Sequence, residues 1–319
     1  MDAASGTAAA GGNLRTTTAP DGRTLAYSVW GDPDGFPVMS LHGTPGCRLN
    51  RWPDEEIYRR FEIRLVTHDR AGYGRSERNR GRSVADEAAD VAAIADSLHI
   101  DRFGVSGGSG GGPHALACAA LLPDRVIRTS CIVGGAPFGA DGLERDAWLA
   151  GMDPENVKEF GWAEQGEEIL ARELDREHRD AVRRVDEDPA RLLENFDLSE
   201  SDRAQLRRPE LAQVIRESVH EEAVNGVWGW VDDDLAFLEP WGFAVDAIRT
   251  PALVRYGRGD VLVPEAHGAW LAANVPGSVV KVDEGSGHLG SDPVTEIEEN
   301  MTWLRTGAPP AGAVPPNDR

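Results

Sequence analysis

The sequence predicts an α/β protein: a mostly parallel central sheet with helices on both faces, interrupted by a helical insertion. Three observations carry this. Short apolar runs alternate with stretches of helical spacing over residues 24–133, and again over 252–305. Several of those runs are apolar without alternation, as suits parallel strands covered on both faces. Between the two halves, residues 141–249 are helical in spacing and hold 29 acidic against 13 basic residues, a net −16 of the chain's −21.

The elements follow in order. Residues 1–12, rich in Ala, Gly and Ser, and 307–319, with repeated Pro, read as flexible tails. Residues 24–30 and 37–41 read as strands around the turn residues Gly31, Asp32, Pro33, Asp34 and Gly35. A strand at 63–69 runs into a glycine-rich turn. Val84, Ala88, Val91, Ile94 and Leu98 share one face of a helix over 83–98. A strand at 103–106, an Ala-rich helix at 110–122 and an apolar strand at 126–133 complete the first half. After residue 250 come a strand (252–256), a helix (265–274), a strand (278–282) and a last helix (293–305). The expected organisation is one core split into 13–139 and 250–306, with an acidic helical insertion at 140–249 after the sixth strand.

Composition narrows the function. The chain has 319 residues, with 54 acidic and 33 basic, so a cationic footprint for nucleic acid or anionic membrane is missing. Nine Trp and eight Phe argue against a disordered chain. Cys47, Cys118 and Cys131 form no paired motif, so neither a disulfide framework nor a metal site is expected, and no cofactor is implied. The N-terminus carries no basic segment leading into an apolar run, and no window approaches about 18 apolar residues. The expected setting is the cytoplasm and the expected partner a small-molecule substrate.

The strongest chemical signal is Gly107-Gly108-Ser109-Gly110-Gly111, a G-x-S-x-G pattern where a strand meets a helix. A sharp turn there strains the serine and projects its hydroxyl at a helix N-terminus, where free N–H groups favour developing negative charge. A flexible Gly/Ser loop or an anion-binding turn is the alternative. Ser106 lacks the flanking glycines, so Ser109 is the preferred nucleophile. A serine needs a base, and the base an orienting acid. His288 lies in a glycine-bounded loop after a strand, whereas His68 and His99 fall within or at the end of regular elements and His178 and His220 in the charged insertion. His114, on the helix after Ser109, is expected to turn away from its hydroxyl. Asp260 follows the strand at 252–256. A helix cap would account for it, but its place gives the chain order Ser…Asp…His that belongs to one fold.

These motifs together resemble the α/β-hydrolase superfamily over roughly residues 13–306. Leu41-His42-Gly43-Thr44-Pro45-Gly46 resembles its HGxP loop, and Asp69-Arg70-Ala71-Gly72-Tyr73-Gly74-Arg75-Ser76 its D-x-x-G-x-G-x-S segment. The resemblance implies a serine hydrolase with the triad Ser109, Asp260 and His288, an oxyanion hole from the backbone N–H groups of Thr44 and Gly110, and a helical cap formed by the insertion. Five of the nine Trp fall in that cap, and Trp228 and Trp230 are the expected substrate contacts. The acidic residues of the cap are expected to form mainly a solvated helix surface.

Three functions fit. The favoured one is hydrolysis of a bulky, neutral, apolar carboxylic ester or lactone through an acyl-enzyme on Ser109. The His42–Gly46 and Gly107–Gly111 motifs also resemble those of proline iminopeptidases, although Asp69-Arg70-Ala71-Gly72 departs from that group's D-Q-R-G run. A catalytically quiet ligand receptor on the same fold is the third.

Overall fold

The computed structural model describes residues 13–315, so the tail expected at 1–12 and the last four residues lie outside the description. An eight-stranded sheet runs through the molecule in the order β1-β2-β4-β3-β5-β6-β7-β8. Its strands are β1 (Arg15–Thr18), β2 (Thr24–Gly31), β3 (Phe36–Leu41), β4 (Ile63–His68), β5 (Phe103–Gly108), β6 (Val126–Ile132), β7 (Ala252–Gly257) and β8 (Val279–Asp283). β2 pairs antiparallel with β1 and β4, and the pairs from β4 across to β8 are parallel. β1 goes beyond the sequence reading: Arg-Thr-Thr-Thr has no apolar run, and three of its four residues are exposed at the sheet edge.

Two apolar layers hold the sheet. On one face lie α2 (Glu87–Ser97), α3 (Gly111–Leu121) and α10 (Glu265–Asn274), whose Val91, Ile94, Leu116 and Leu271 are buried with Phe103 and Val105 of β5. On the other lie α1 (Glu56–Arg60) and α11 (Pro293–Thr306), with Ile57, Met301, Trp303 and Leu304 against Val38 and Leu65. Packing on both faces explains why β3 through β7 read as apolar runs. Residues 307–315 run beside β8, where Val314 bridges to Val280 and Lys281 Nζ donates to the Ala311 carbonyl (2.8 Å).

Between β6 and β7 the chain forms the helical cap: α4 (Arg145–Leu149), α5 (Pro154–Ala163), α6 (Glu167–Glu187), α7 (Glu200–Leu206), α8 (Ala212–Glu222) and α9 (Trp228–Leu238). α6 is the solvated surface that charge predicts, burying only Leu170, Leu174 and Val185 of its 21 residues. α9 is the opposite. Asp232, Asp233 and Asp234 are all buried, because a helix turns about 100° per residue and sends each to a different partner. Asp232 takes a two-pronged bond from Arg78 (2.8 and 2.9 Å), Asp233 meets the loops under the cap, and Asp234 reaches a cavity. No helix among the described residues is long and apolar enough to cross a membrane.

Candidate active site

β5 lies in the middle of the sheet between β3 and β6, so Ser109 emerges at the carboxyl ends of the parallel strands, where open α/β sheets carry their sites. Ser109 has φ = 53°, a left-handed conformation that costs a non-glycine residue free energy and persists only when its surroundings enforce it. They do so with hydrogen bonds: its N–H donates to Ile132 O (2.9 Å), and its own carbonyl accepts from Gly112 N (2.9 Å). The small neighbours are required by contact. A Cβ on Gly107 would collide with the Gly111 carbonyl, and one on Gly111 with the carbonyls of Leu41 and His42. A Cβ on Gly110 would run into the Thr44 side chain and lie 3.1 Å from Thr44 N. The glycines therefore let the turn after β3 and the start of α3 close on one another beside the serine. Ser106 sits back in β5, buried, its hydroxyl accepting from Asn300 Nδ2 (2.9 Å).

Asp260 and His288 meet across two loops, Asp260 Oδ2 accepting from His288 Nδ1 at 2.8 Å. The other carboxylate oxygen accepts from Leu262 N and Val263 N (both 2.9 Å), which fixes the orientation of the acid. Burial alone would depress the imidazole's pKa, but the Asp260 charge and hydrogen bond outweigh it and hold His288 above its ordinary value. With Nδ1–H committed to Asp260, Nε2 carries the lone pair. Among the described hydrogen bonds the ring is engaged on its Asp260 side only.

Other histidines near this end of the sheet are committed elsewhere. His42 Nε2 accepts from Arg70 N (3.1 Å), and His267 bridges Ala136 N (3.1 Å) and Trp148 O (2.8 Å). His114 is directed to Asp233 (3.2 Å) and the Val84 carbonyl (3.3 Å).

Above Ser109 is a cavity of about 190 Å³, floored by Thr44, Ser109 and Gly110 and walled largely by the cap. Its aromatic wall includes Trp148, Phe160, Trp162, Trp230, Phe237 and Trp241. Trp230 reaches it with its indole N–H on Glu159 (2.8 Å). Trp228, expected beside it, lies outside the cavity wall, 39% exposed and stacked under the Arg78 guanidinium at 4.3 Å. Residues two apart on a helix face opposite ways, which is the reason for the correction.

The cavity is also lined by carboxyls of the cap, among them Glu159, Glu222 and Asp234. Burial pushes Glu159 up to about 7 and Glu222 up to about 8, while burial and the nearby Glu159 hold Asp234 well above the carboxylate range. Asp234 Oδ2 is buried without a hydrogen-bond partner. The sign of the stability effect follows. Folded Glu222 keeps its proton where the unfolded chain, with its ordinary value of 4.5, has lost it. Its contribution is complete below that value and is lost as pH rises through about 8. Glu222→Gln is therefore expected to raise Tm over wild type at about pH 8.5 and to leave it nearly unchanged at about pH 4. A Tm difference in thermal melts that fails to grow with pH would contradict this.

Two further buried aspartates escaped the sequence reading. Asp202, at the start of α7, accepts from His288 N (3.1 Å) and Leu289 N (2.6 Å), so a cap residue holds the backbone of the His288 loop. Its signal was Ser199-x-x-Asp202, a helix-start pattern in which the serine receives the Asp202 N–H (3.1 Å). Asp233 is the second, and its signal was three acids inside an otherwise apolar helix.

No family model matches the chain. Among curated proteins it is 33% identical over 127 residues to a non-heme chloroperoxidase of Streptomyces lividans, covering 39% of this chain and 45% of that protein. It is 28% identical over 306 residues to a proline iminopeptidase of Xylella fastidiosa, covering 86% and 90%. Among solved structures, an α/β-hydrolase fold protein from Nakamurella multipartita superposes with TM-score 0.63 at 21% identity, over 92% of this chain and 100% of that one. The enol-lactonase from Burkholderia xenovorans does so with TM-score 0.61 at 20% identity, over 92% and 98%. Strand order, the antiparallel second strand, the serine turn and these likenesses define an α/β-hydrolase fold. The chain thus shares its fold with the enol-lactonase and the Nakamurella multipartita protein and is similar over most of its length to a proline iminopeptidase.

Proposed function

We propose that the protein is a serine hydrolase that cleaves a carboxylic ester or lactone with a bulky apolar body through an acyl-enzyme on Ser109. The observation that carries the reading is the strained Ser109 at the floor of an aromatic cavity, flanked by the Thr44 and Gly110 backbone. In the reaction, Ser109 Oγ bonds to the substrate carbonyl carbon while His288 Nε2 takes the hydroxyl proton. The oxyanion accepts from the N–H groups of Thr44 and Gly110. His288 then returns the proton to the departing alkoxide as the carbon–oxygen bond breaks. Water repeats the sequence on the acyl-enzyme, His288 again removing and returning one proton. Asp260 keeps Nδ1 protonated and stabilises the imidazolium.

Burial disfavours charge on Glu159, Glu222 and Asp234, which is in keeping with an uncharged substrate against that part of the wall, while Glu155, Lys158, Glu177 and Arg184 also line the cavity. A second reading is an aminopeptidase in which a cap acid at the cavity wall meets the substrate's ammonium group, and the 28% identity to a proline iminopeptidase supports it. Parallel turnover of aryl esters, lactones and aminoacyl arylamides separates the two. Ester or lactone turnover without arylamide turnover is expected; arylamide turnover would favour the second reading.

A further inference from the structure

We propose that Asp233 is a positioning residue that couples the cap to the oxyanion hole, holding the Thr44 loop and the start of α3 in register beside Ser109. The inference rests on the acyl-transfer reading above.

Asp233 is fully buried on cap helix α9, yet its carboxylate gathers five donors from segments of the catalytic body. Oδ2 accepts from Thr44 Oγ1 (2.6 Å), Arg70 Nη2 (2.6 Å) and Tyr73 Oη (2.8 Å). Oδ1 accepts from Arg82 Nη2 and from His114 Nε2 (3.2 Å). The two proposed oxyanion donors lie on two of these segments. Thr44 is bonded directly through its own hydroxyl. Gly110 begins the helix that carries His114, one turn further on.

Arg70 extends the grip. Besides Asp233 it donates to the carbonyls of His42 and Gly43 (2.8 Å to the latter) and to Thr44 Oγ1 (3.1 Å), so one guanidinium holds three successive residues of the oxyanion loop. The backbones are close enough for this because glycines face each other. Gly229 N donates to Gly72 O (3.1 Å), and a Cβ on Gly229 would strike the Tyr73 ring. Burial opposes ionisation of Asp233, but Arg70 and Arg82 outweigh it and hold the carboxyl well below the usual carboxylate range, so the charge persists at working pH.

An oxyanion donor acts in the transition state and adds little to ground-state binding, so losing its alignment lowers kcat rather than raising KM. Asp233→Asn keeps the shape but replaces one of two accepting oxygens by a donor. Its kcat on p-nitrophenyl butyrate is expected to fall about 10²–10³-fold with KM changed less than about threefold. Affinity for an aryl trifluoromethyl ketone, whose adduct on Ser109 carries an oxyanion, is expected to fall with kcat. Because Asp233→Asn leaves Arg70 and Arg82 short of a counter-charge, Thr44→Val is the second variant. It removes the hydroxyl that donates to Asp233 and accepts from Arg70 but keeps the Asp233 charge, and is expected to lower kcat and ketone affinity about 10–100-fold without a matching loss of Tm. Asp232→Asn, which loses the Arg78 pair on the same helix, is the control for structural loss: Tm falls and kcat stays.

Thr44→Val with wild-type kcat and wild-type ketone affinity would overturn the inference while leaving the acyl-transfer reading intact. A wild-type protein that neither turns over the ester nor reacts with a fluorophosphonate would remove both.

Discussion

Ser109→Ala is expected to abolish fluorophosphonate labelling and to lower ester turnover by about 10⁴-fold or more, while the far-ultraviolet circular dichroism stays that of the wild type. The size follows from the role. Alanine leaves the oxyanion hole and the cavity in place but removes the atom that forms the covalent bond, and residues acting as one unit lose nearly everything when one is removed. The fold is expected to survive because Ser109 holds its turn with backbone groups, to Ile132 O and from Gly112 N, not with its hydroxyl. Alanine at φ = 53° keeps the strain the serine already bears. Persistent labelling of Ser109→Ala at another serine would move the nucleophile elsewhere, with Ser106 the nearest alternative in sequence.

Asp260→Asn is expected to lower kcat by about 10⁴-fold with a far smaller effect on KM. Local geometry dictates why. Asp260 Oδ1 accepts from the N–H groups of Leu262 and Val263, and an amide at this position must keep its carbonyl oxygen there. Its NH₂ then faces His288 Nδ1, which can meet it only as an acceptor, so the ring proton moves to Nε2 and the base is lost. The pH profile supplies a second readout. His288 acts as a base only when neutral, and Asp260 holds its pKa above the ordinary histidine value, so the acid limb of kcat/KM is expected above about 6.5. Without the carboxylate charge the residual activity's acid limb moves to lower pH. An unchanged kcat and an unmoved limb would place the orienting acid elsewhere.

How much of this was legible in the sequence depends on the range over which each feature is determined. β5, the serine turn and α3 were legible because a buried strand, a glycine-packed turn and an Ala-rich helix are specified by adjacent residues. Asp260 and His288 were legible from loop position and chain order, and the structure brings them to 2.8 Å. β1 escaped because an exposed edge strand needs no apolar pattern. The cap resisted most. Its charge marked its extent, but a count of charges does not tell an acid facing water on α6 from Asp233, which is buried because Arg70, Arg82 and Tyr73 arrive from far away in sequence. Trp228 and Trp230 looked equivalent as letters, and only the helix phase of α9 separates the surface residue from the cavity wall.

The central claim is that Ser109 is the nucleophile. The most direct measurement is peptide mapping by mass spectrometry of the wild-type protein after reaction with a fluorophosphonate, with His288→Ala treated alongside. One adduct per chain on the peptide containing Ser109, formed far more slowly in His288→Ala, is the predicted result. An adduct confined to another serine, or equal rates in the two proteins, would contradict the account.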